Sequence, residues 1–193
     1  MQKILTILLV LFIFSDANAK QYKLLIIGDS ITSCKFSYGY LFQEKFPTKI
    51  IAKSGANVRW MYDKIKNIEM QRYTHLLILG GVNDIDNYRL KNAQKYLLKI
   101  YSKAKASGLI VIGITLSPWK SWQSWNIRKH RLTVALNQWI KNQPIDYVAD
   151  FYTLVKSQRD VKKMASKYNR WSDGLHPNQL AHKALFKYIL QIF

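Results

Sequence analysis

A serine follows a glycine and an acid in Gly28-Asp29-Ser30, and far along the chain an aspartate precedes a histidine by three residues in Asp173-Gly174-Leu175-His176-Pro177. A serine hydroxyl becomes a nucleophile when a base takes its proton and a third group orients that base. Acyl transfer also needs donors for the oxyanion. Ser30 can be the nucleophile, with His176 as base and Asp173 to orient the imidazole. The backbone N–H of Ser30 and that of Gly55 can be donors, and the Asn83 side-chain amide can be a third. Each residue has a plainer use as well. Gly-Asp-Ser alone also suits a turn with an N-capping serine, Asn83 can cap a turn, and Asp173 can cap the last turn instead of orienting His176. Asp29 and Asp84 read as structural hydrogen-bond acceptors. His75, His130 and His182 lack such surroundings and read as surface or satisfied histidines.

Positioning these residues falls to short apolar strands. Leu24 to Ile27 is too short for a helix and has no polar face, so it reads as a buried parallel strand that Gly28 ends. Similar runs at 49–52, 74–79, 109–116 and 147–151 predict four more strands. Helices are expected at 38–46, 59–71, 88–107, 126–142, 161–168 and 178–193, the last with Asn178 as N-cap. Strands alternating with helices predict one α/β domain with a parallel sheet covered on both faces. Ser30, Gly55 and Asn83 each follow the carboxyl end of a predicted strand, the edge where open α/β sheets place ligands.

The composition narrows the partners. Lys and Arg number 30 against 11 acids, a formal net charge of +19, which favours anionic partners or surfaces. Nucleic acid is an unfavoured partner, because no zinc-finger spacing, RNA-binding aromatic signature or basic zipper is visible. Cys34 is the only cysteine, which rules out an intramolecular disulfide and a cysteine metal cluster. Lys91, Lys95, Lys99 and Lys103 recur every four residues, as a solvated helix face or as a contact with anionic lipid or envelope polymer.

Residues 1–19 carry the pattern of an export signal: Lys3, an apolar run from Ile4 to Phe14, and Ala17-Asn18-Ala19 as a cleavage site, with Lys20 as the new N-terminus. A transmembrane anchor is the competing reading, but the run is shorter than the ~20 residues a span requires. Removing this segment takes away Lys3 and Asp16 together and leaves the net charge unchanged. A periplasmic or secreted protein is expected, with residues 20–193 as its single domain.

Gly28-Asp29-Ser30, Gly55, Gly81-Val82-Asn83-Asp84 and Asp173-Gly174-Leu175-His176-Pro177 resemble, in order, the four blocks of the SGNH (GDSL) hydrolase family. The resemblance spans the chain from residue 20 onward. It implies a three-layer α/β/α sandwich around a flavodoxin-like, five-stranded parallel sheet. The implied chemistry is that of a serine esterase or lipase without metal or cofactor. By it Ser30 is nucleophile, Asp173 and His176 complete the triad, and Ser30, Gly55 and Asn83 form the oxyanion hole. Thr32 stands where the G-x-S-x-G elbow of larger α/β-hydrolases has its last glycine. The expected substrates are lipid, lysophospholipid or simple acyl esters. A carbohydrate O-acetylesterase is the alternative, and a catalytically silent binding protein a more distant one.

Tryptophans mark a candidate substrate rim. Trp119, Trp122 and Trp125 fall every three residues in the loop after the fourth strand, and Trp171 precedes Asp173. Exposed, Trp119, Trp122 and Trp171 would meet a sugar or an anionic lipid interface; otherwise these rings pack into the neighbouring helix.

Overall fold

The computed structural model describes residues 22–170 and 173–193; the expected export signal and Trp171 lie outside them. The strands are β1 (Leu24–Gly28), β2 (Thr48–Ala52), β3 (His75–Leu79), β4 (Ile110–Ile114) and β5 (Tyr147–Ala149). They form one parallel five-stranded sheet in the order β2-β1-β3-β4-β5. β1 and β3 are buried throughout, which explains the apolar runs Leu24–Ile27 and Leu76–Leu79.

The helices are α1 (Ser30–Ser33), α2 (Tyr38–Gln43), α3 (Val58–Ile65), α4 (Val82–Asp86), α5 (Leu90–Ala106), α6 (Ile127–Lys141), α7 (Phe151–Val155) and α8 (Gln179–Leu190). α3, α5 and α6 pack together on one face of the sheet, and α2, α7 and α8 on the other. This is the expected three-layer sandwich. The chain runs from β1 outward to β2, then returns past β1 to β3. The order therefore reverses between β1 and β3, and the crevice of such a sheet opens there, at the strands' carboxyl ends.

Several boundaries differ from the sequence reading. The expected helix at 59–71 ends at Ile65, followed by a separate 3-10 turn at Met70–Arg72. The expected helix at 161–168 is mostly not one. Only Ser166–Tyr168 forms a 3-10 turn, and Lys156 bridges Met164 in antiparallel fashion. Local side chains outcompete the helical ladder there. Ser157 Oγ accepts from Arg159 N and Asp160 N, and Asp160 Oδ1 accepts from Lys162 N. The short α1 and α4, which begin right after β1 and β3, were not foreseen. Asn178 does cap α8, its side chain accepting from Ala181 N at 3.0 Å.

Candidate active site

The site grows from the ends of β1 and β3. Asp29, not Ser30, is the N-cap of α1: its Oδ1 accepts from Ile31 N at 3.0 Å. Ser30 becomes the first helical residue, half-buried, with its hydroxyl free of capping duty. His176 Nε2 lies 3.1 Å from Ser30 Oγ, and His176 Nδ1 lies 2.8 Å from Asp173 Oδ2. A carboxylate only accepts, so Nδ1 carries the proton and Nε2 is left to accept from the serine. Residues 146 positions apart in sequence thus form one relay.

Asp173 performs both roles that the sequence left open. Its Oδ1 accepts from Leu175 N and His176 N, each at 2.8 Å, and so shapes the turn; its Oδ2 holds the imidazole. Burial alone would raise this carboxyl. The two N–H groups and the imidazole outweigh burial and hold it below the usual carboxylate range. The turn is anchored from outside by Arg170 N to His176 O at 3.0 Å and by Asn178 N to Tyr168 O at 2.8 Å.

Gly174 lets this turn sit against the tryptophan loop. Its φ is +77°, and a Cβ there would lie 2.6 Å from backbone atoms of Ser121. Gly174→Ala is therefore expected to cost about 2 kcal/mol or more from left-handed strain and overpacking. It should also displace His176. The check is a lower denaturation midpoint at unchanged m-value, together with a fall in kcat.

The donors expected for an oxyanion lie on the same edge. Gly55 has φ +72° in the turn after β2. The backbone N–H groups of Ser30 and Gly55 have no acceptor among the described residues. Asn83 lies in the first turn of α4, and its Nδ2 donates to Ala56 O at 2.9 Å. That bond uses one amide hydrogen, fixes the amide against the Gly55 turn, and leaves the second hydrogen for a ligand. Asp84 adds a second tie, its Oδ2 accepting from Val58 N at 2.9 Å.

The tryptophan rim needs correcting. Trp119 is 1 % exposed and its Nε1 donates to Thr133 Oγ1 of α6 at 2.9 Å, so it packs as core and is no rim residue. A large apolar ring with a polar edge gains most from burial with that edge bonded. Trp122 is half-buried and stands edge-on to His176 with ring centroids 5.9 Å apart, which places it beside the relay. Trp125 is half-buried, with the Lys120 ammonium 5.9 Å from its ring centre.

Two supports were not legible in the sequence. Buried Lys129 bonds Asp86 Oδ1 at 2.6 Å and Ser124 O at 2.9 Å, and Ser124 Oγ also donates to Asp86. This clamp ties the tryptophan loop to α4. Asn137 bonds both the N–H and the C=O of Leu116, at 2.8 and 2.9 Å, and fixes where that loop starts. Beside Gly55, residues Lys53–Asn57 and Trp60 line a shallow hollow of about 200 Å³.

His182 and His75 do structural work. His182 is buried; its Nδ1 accepts from Tyr38 N at 3.4 Å and its Nε2 lies 3.5 Å from Cys34 Sγ. Burial pulls it down to about 4. His75 is buried among Tyr22 and Phe193 at the sheet's other end. Lys91, Lys95 and Lys99 line the exposed side of α5, and Lys95 and Lys99 lie over the Tyr96 ring at 5.7 and 5.5 Å.

Comparison with known proteins bears on the fold and the family. No curated protein matches the chain by sequence. Among solved structures, a GDSL-like lipase from Bacteroides thetaiotaomicron superposes with a TM-score of 0.74 at 19% identity, over 90% of this chain and 88% of the other. A lipase from a goat rumen metagenome gives 0.69 at 15% identity, over 88% and 96%. The esterase EstA of a Pseudoalteromonas species, in a structure inhibited by monoethylphosphonate, gives 0.63 at 18% identity, over 88% and 94%. Identities this low establish the shared fold. The model of the GDSL-like lipase/acylhydrolase family matches residues 26–184, from inside β1 into α8. That stretch contains Ser30, Gly55, Asn83 and the His176 turn, and the chain belongs to this family of hydrolases.

Proposed function

We propose that the protein is an exported serine esterase that cleaves carboxylic esters through an acyl-enzyme on Ser30. The observation that carries this reading is the relay from Ser30 Oγ through His176 to Asp173, at 3.1 and 2.8 Å. In the first half-reaction Ser30 Oγ bonds the ester carbonyl carbon while its proton passes to His176 Nε2. The carbonyl oxygen takes up the negative charge and is met by the N–H groups of Ser30 and Gly55 and by Asn83 Nδ2. Collapse breaks the bond to the alkoxy oxygen, which takes the proton from His176 and departs as alcohol. Water then repeats the sequence: His176 takes its proton, its oxygen bonds the acyl carbon, and the carboxylic acid leaves as Ser30 is restored.

Lipid, lysophospholipid or simple acyl esters are the proposed substrates. One observation favours the second reading, an O-acetylesterase acting on carbohydrate: the half-buried Trp60 ring at the hollow beside Gly55, a surface on which a sugar can stack. Hydrolysis of nitrophenyl esters of graded chain length, run beside acetylated sugars, separates the two. Labelling of Ser30 by a fluorophosphonate tests the nucleophile itself. Absence of label on folded protein would remove the covalent route.

The charge of +19 and the outward lysines of α5 support docking on anionic material that bears the acyl group. Trp122→Ala is expected to reduce turnover on anionic vesicles more than on short soluble esters. Equal loss on both would assign Trp122 to packing around His176 instead. Export rests on the pattern of residues 1–19, and N-terminal sequencing of envelope or medium fractions should read from Lys20. Intact Met1 in a membrane fraction would point to an anchor.

A further inference from the structure

Asn83 and His176 stand on different supports. Asn83 belongs to α4, which ends at Asp86. The His176 turn leans on the tryptophan loop. Trp122 meets the imidazole edge-on with ring centroids 5.9 Å apart, and a Cβ on Gly174 would lie 2.6 Å from backbone atoms of Ser121. Acyl transfer needs these two supports at a fixed spacing, because base and oxyanion donor serve one carbonyl group.

A buried lysine joins them. Lys129 of α6 is 6 % exposed. Its ammonium donates to Asp86 Oδ1 at 2.6 Å and to Ser124 O at 2.9 Å. Ser124 Oγ donates to Asp86 as well, so helix α4, helix α6 and the loop close a ring of three bonds. Ser124 lies two residues after Trp122, inside a turn closed by Trp125 N to Trp122 O at 2.9 Å. An ammonium has three donors. The one left over is met by the Tyr88 ring, whose centre lies 5.2 Å from Nζ.

Tyr88 shows how closely the end of α4 is set. It stands two residues past that helix with φ +57°, the one non-glycine among the described residues with a positive φ. A tyrosine keeps such a backbone only where its surroundings hold it. Here the start of α6 does so. Arg128 lies 4.7 Å from the ring centre, and the hydroxyl accepts from Asn126 Nδ2 at 2.7 Å. Lys129 is itself anchored. Asn126 Oδ1 accepts from Lys129 N at 3.0 Å, and Thr133 Oγ1, which takes the Trp119 indole N–H, donates to Lys129 O at 2.9 Å.

We propose that Lys129 is a positioning residue of the active site, whose one ammonium sets the spacing between the Asn83 donor on α4 and the His176 turn on the tryptophan loop. It acts on Asn83 through Asp86, three residues further along α4, and on His176 through Ser124 and Trp122. Asn87 Nδ2, donating to Asn83 O at 2.8 Å, stiffens the same short helix. Without the ammonium, Asn83 keeps its bond to Ala56 O and Asp84 its bond to Val58 N. The donor then stays on the crevice edge but loses its register to the base. A buried ion pair adds little net stability over apolar packing, so direction is what this one supplies.

The kinetic part of the test rests on the serine-esterase reading; the spectroscopic part does not. Lys129→Met keeps the length of the side chain and removes its charge. It should lower kcat on a short ester by about 10- to 10²-fold with KM nearly constant, as a small misplacement does. In an Asn83→Ala background the same change should cost less than about threefold, because the donor it places is already gone. Lys141→Met removes another ion pair of α6, to Asp150 at 2.6 Å, and should leave kcat as it was. By NMR of nitrogen-labelled protein, Lys129→Met should shift both the Asn83 side-chain amide and the His176 imidazole, and Lys141→Met neither. A lower melting temperature with kcat and both resonances unchanged would make Lys129 a structural residue only and overturn the proposal. So would a kcat loss equally large with and without Asn83. If the single variant fails to fold, Lys129→Met with Asp86→Asn, which leaves no unpaired charge, takes its place in every measurement. Absence of ester turnover in wild type would overturn the esterase reading instead, and the two resonances would then decide this one.

Discussion

Ser30→Ala and His176→Ala are each expected to lower kcat on a short ester by on the order of 10⁶-fold, and the double variant scarcely further, because the two residues act as one relay. The bond between Ser30 Oγ and His176 Nε2 is 3.1 Å, and either change removes it entirely. Both side chains are half-buried at the crevice and outside the packed interior, so the melting temperature should move little. Asp173→Asn should cost less, about 10⁴-fold, since nucleophile and base remain but the imidazole loses the carboxylate that sets its tautomer. That variant should also melt lower, because Asp173 Oδ1 and Oδ2 together hold two backbone N–H groups and the ring. Titration of product burst and steady-state turnover on the purified variants reads all of this. Wild-type turnover in Ser30→Ala would refute the mechanism.

Asn83→Ala should reduce kcat by about 10²- to 10³-fold with KM nearly constant, the signature of a donor that matters once charge develops on the carbonyl oxygen. Part of that loss is indirect. Without Nδ2 the Ala56 carbonyl loses its partner, and the Gly55 turn keeps Val58 N to Asp84 and Ala56 N to Lys53 O. Asn83→Asp separates the contributions. It keeps the shape, removes the donor and places a negative charge beside the buried Asp84, so it should be at least as damaging as alanine. A rise in KM with kcat preserved would place Asn83 in ground-state binding and out of the oxyanion site.

Much of the architecture was legible because burial on both faces writes itself plainly into a strand. Leu24–Ile27 of β1 and Leu76–Leu79 of β3 are apolar runs that a glycine ends, the mark of strands in a parallel, covered sheet. The catalytic turn was legible because Asp173 and His176 are three residues apart, a spacing that one turn can close. The helix expected at 161–168 failed because Ser157 and Asp160 offer local acceptors that periodicity does not weigh. Trp119 was misjudged because a tryptophan every third residue does not say which ring faces inward; Thr133, 14 positions away, decided it by accepting the indole N–H.

The sequence by itself determined the class of fold, through its short apolar strand runs, and the family, through the resemblance of its four blocks, and it offered Ser30, His176 and Asp173 as candidate reacting groups. Only the tertiary structure decided that Asp29 rather than Ser30 caps α1, that Asn83 is locked onto Ala56, and that Lys129 and Asp86 fasten the tryptophan loop. It also left Asp29 Oδ2 and Asp84 Oδ1 buried without a hydrogen-bond partner among the described residues. The contacts of Asn83 and Lys129 join segments far apart along the chain. They depend on how strands order themselves in the sheet and on which polar atoms remain unpaired once the backbone is satisfied, and no local pattern encodes either.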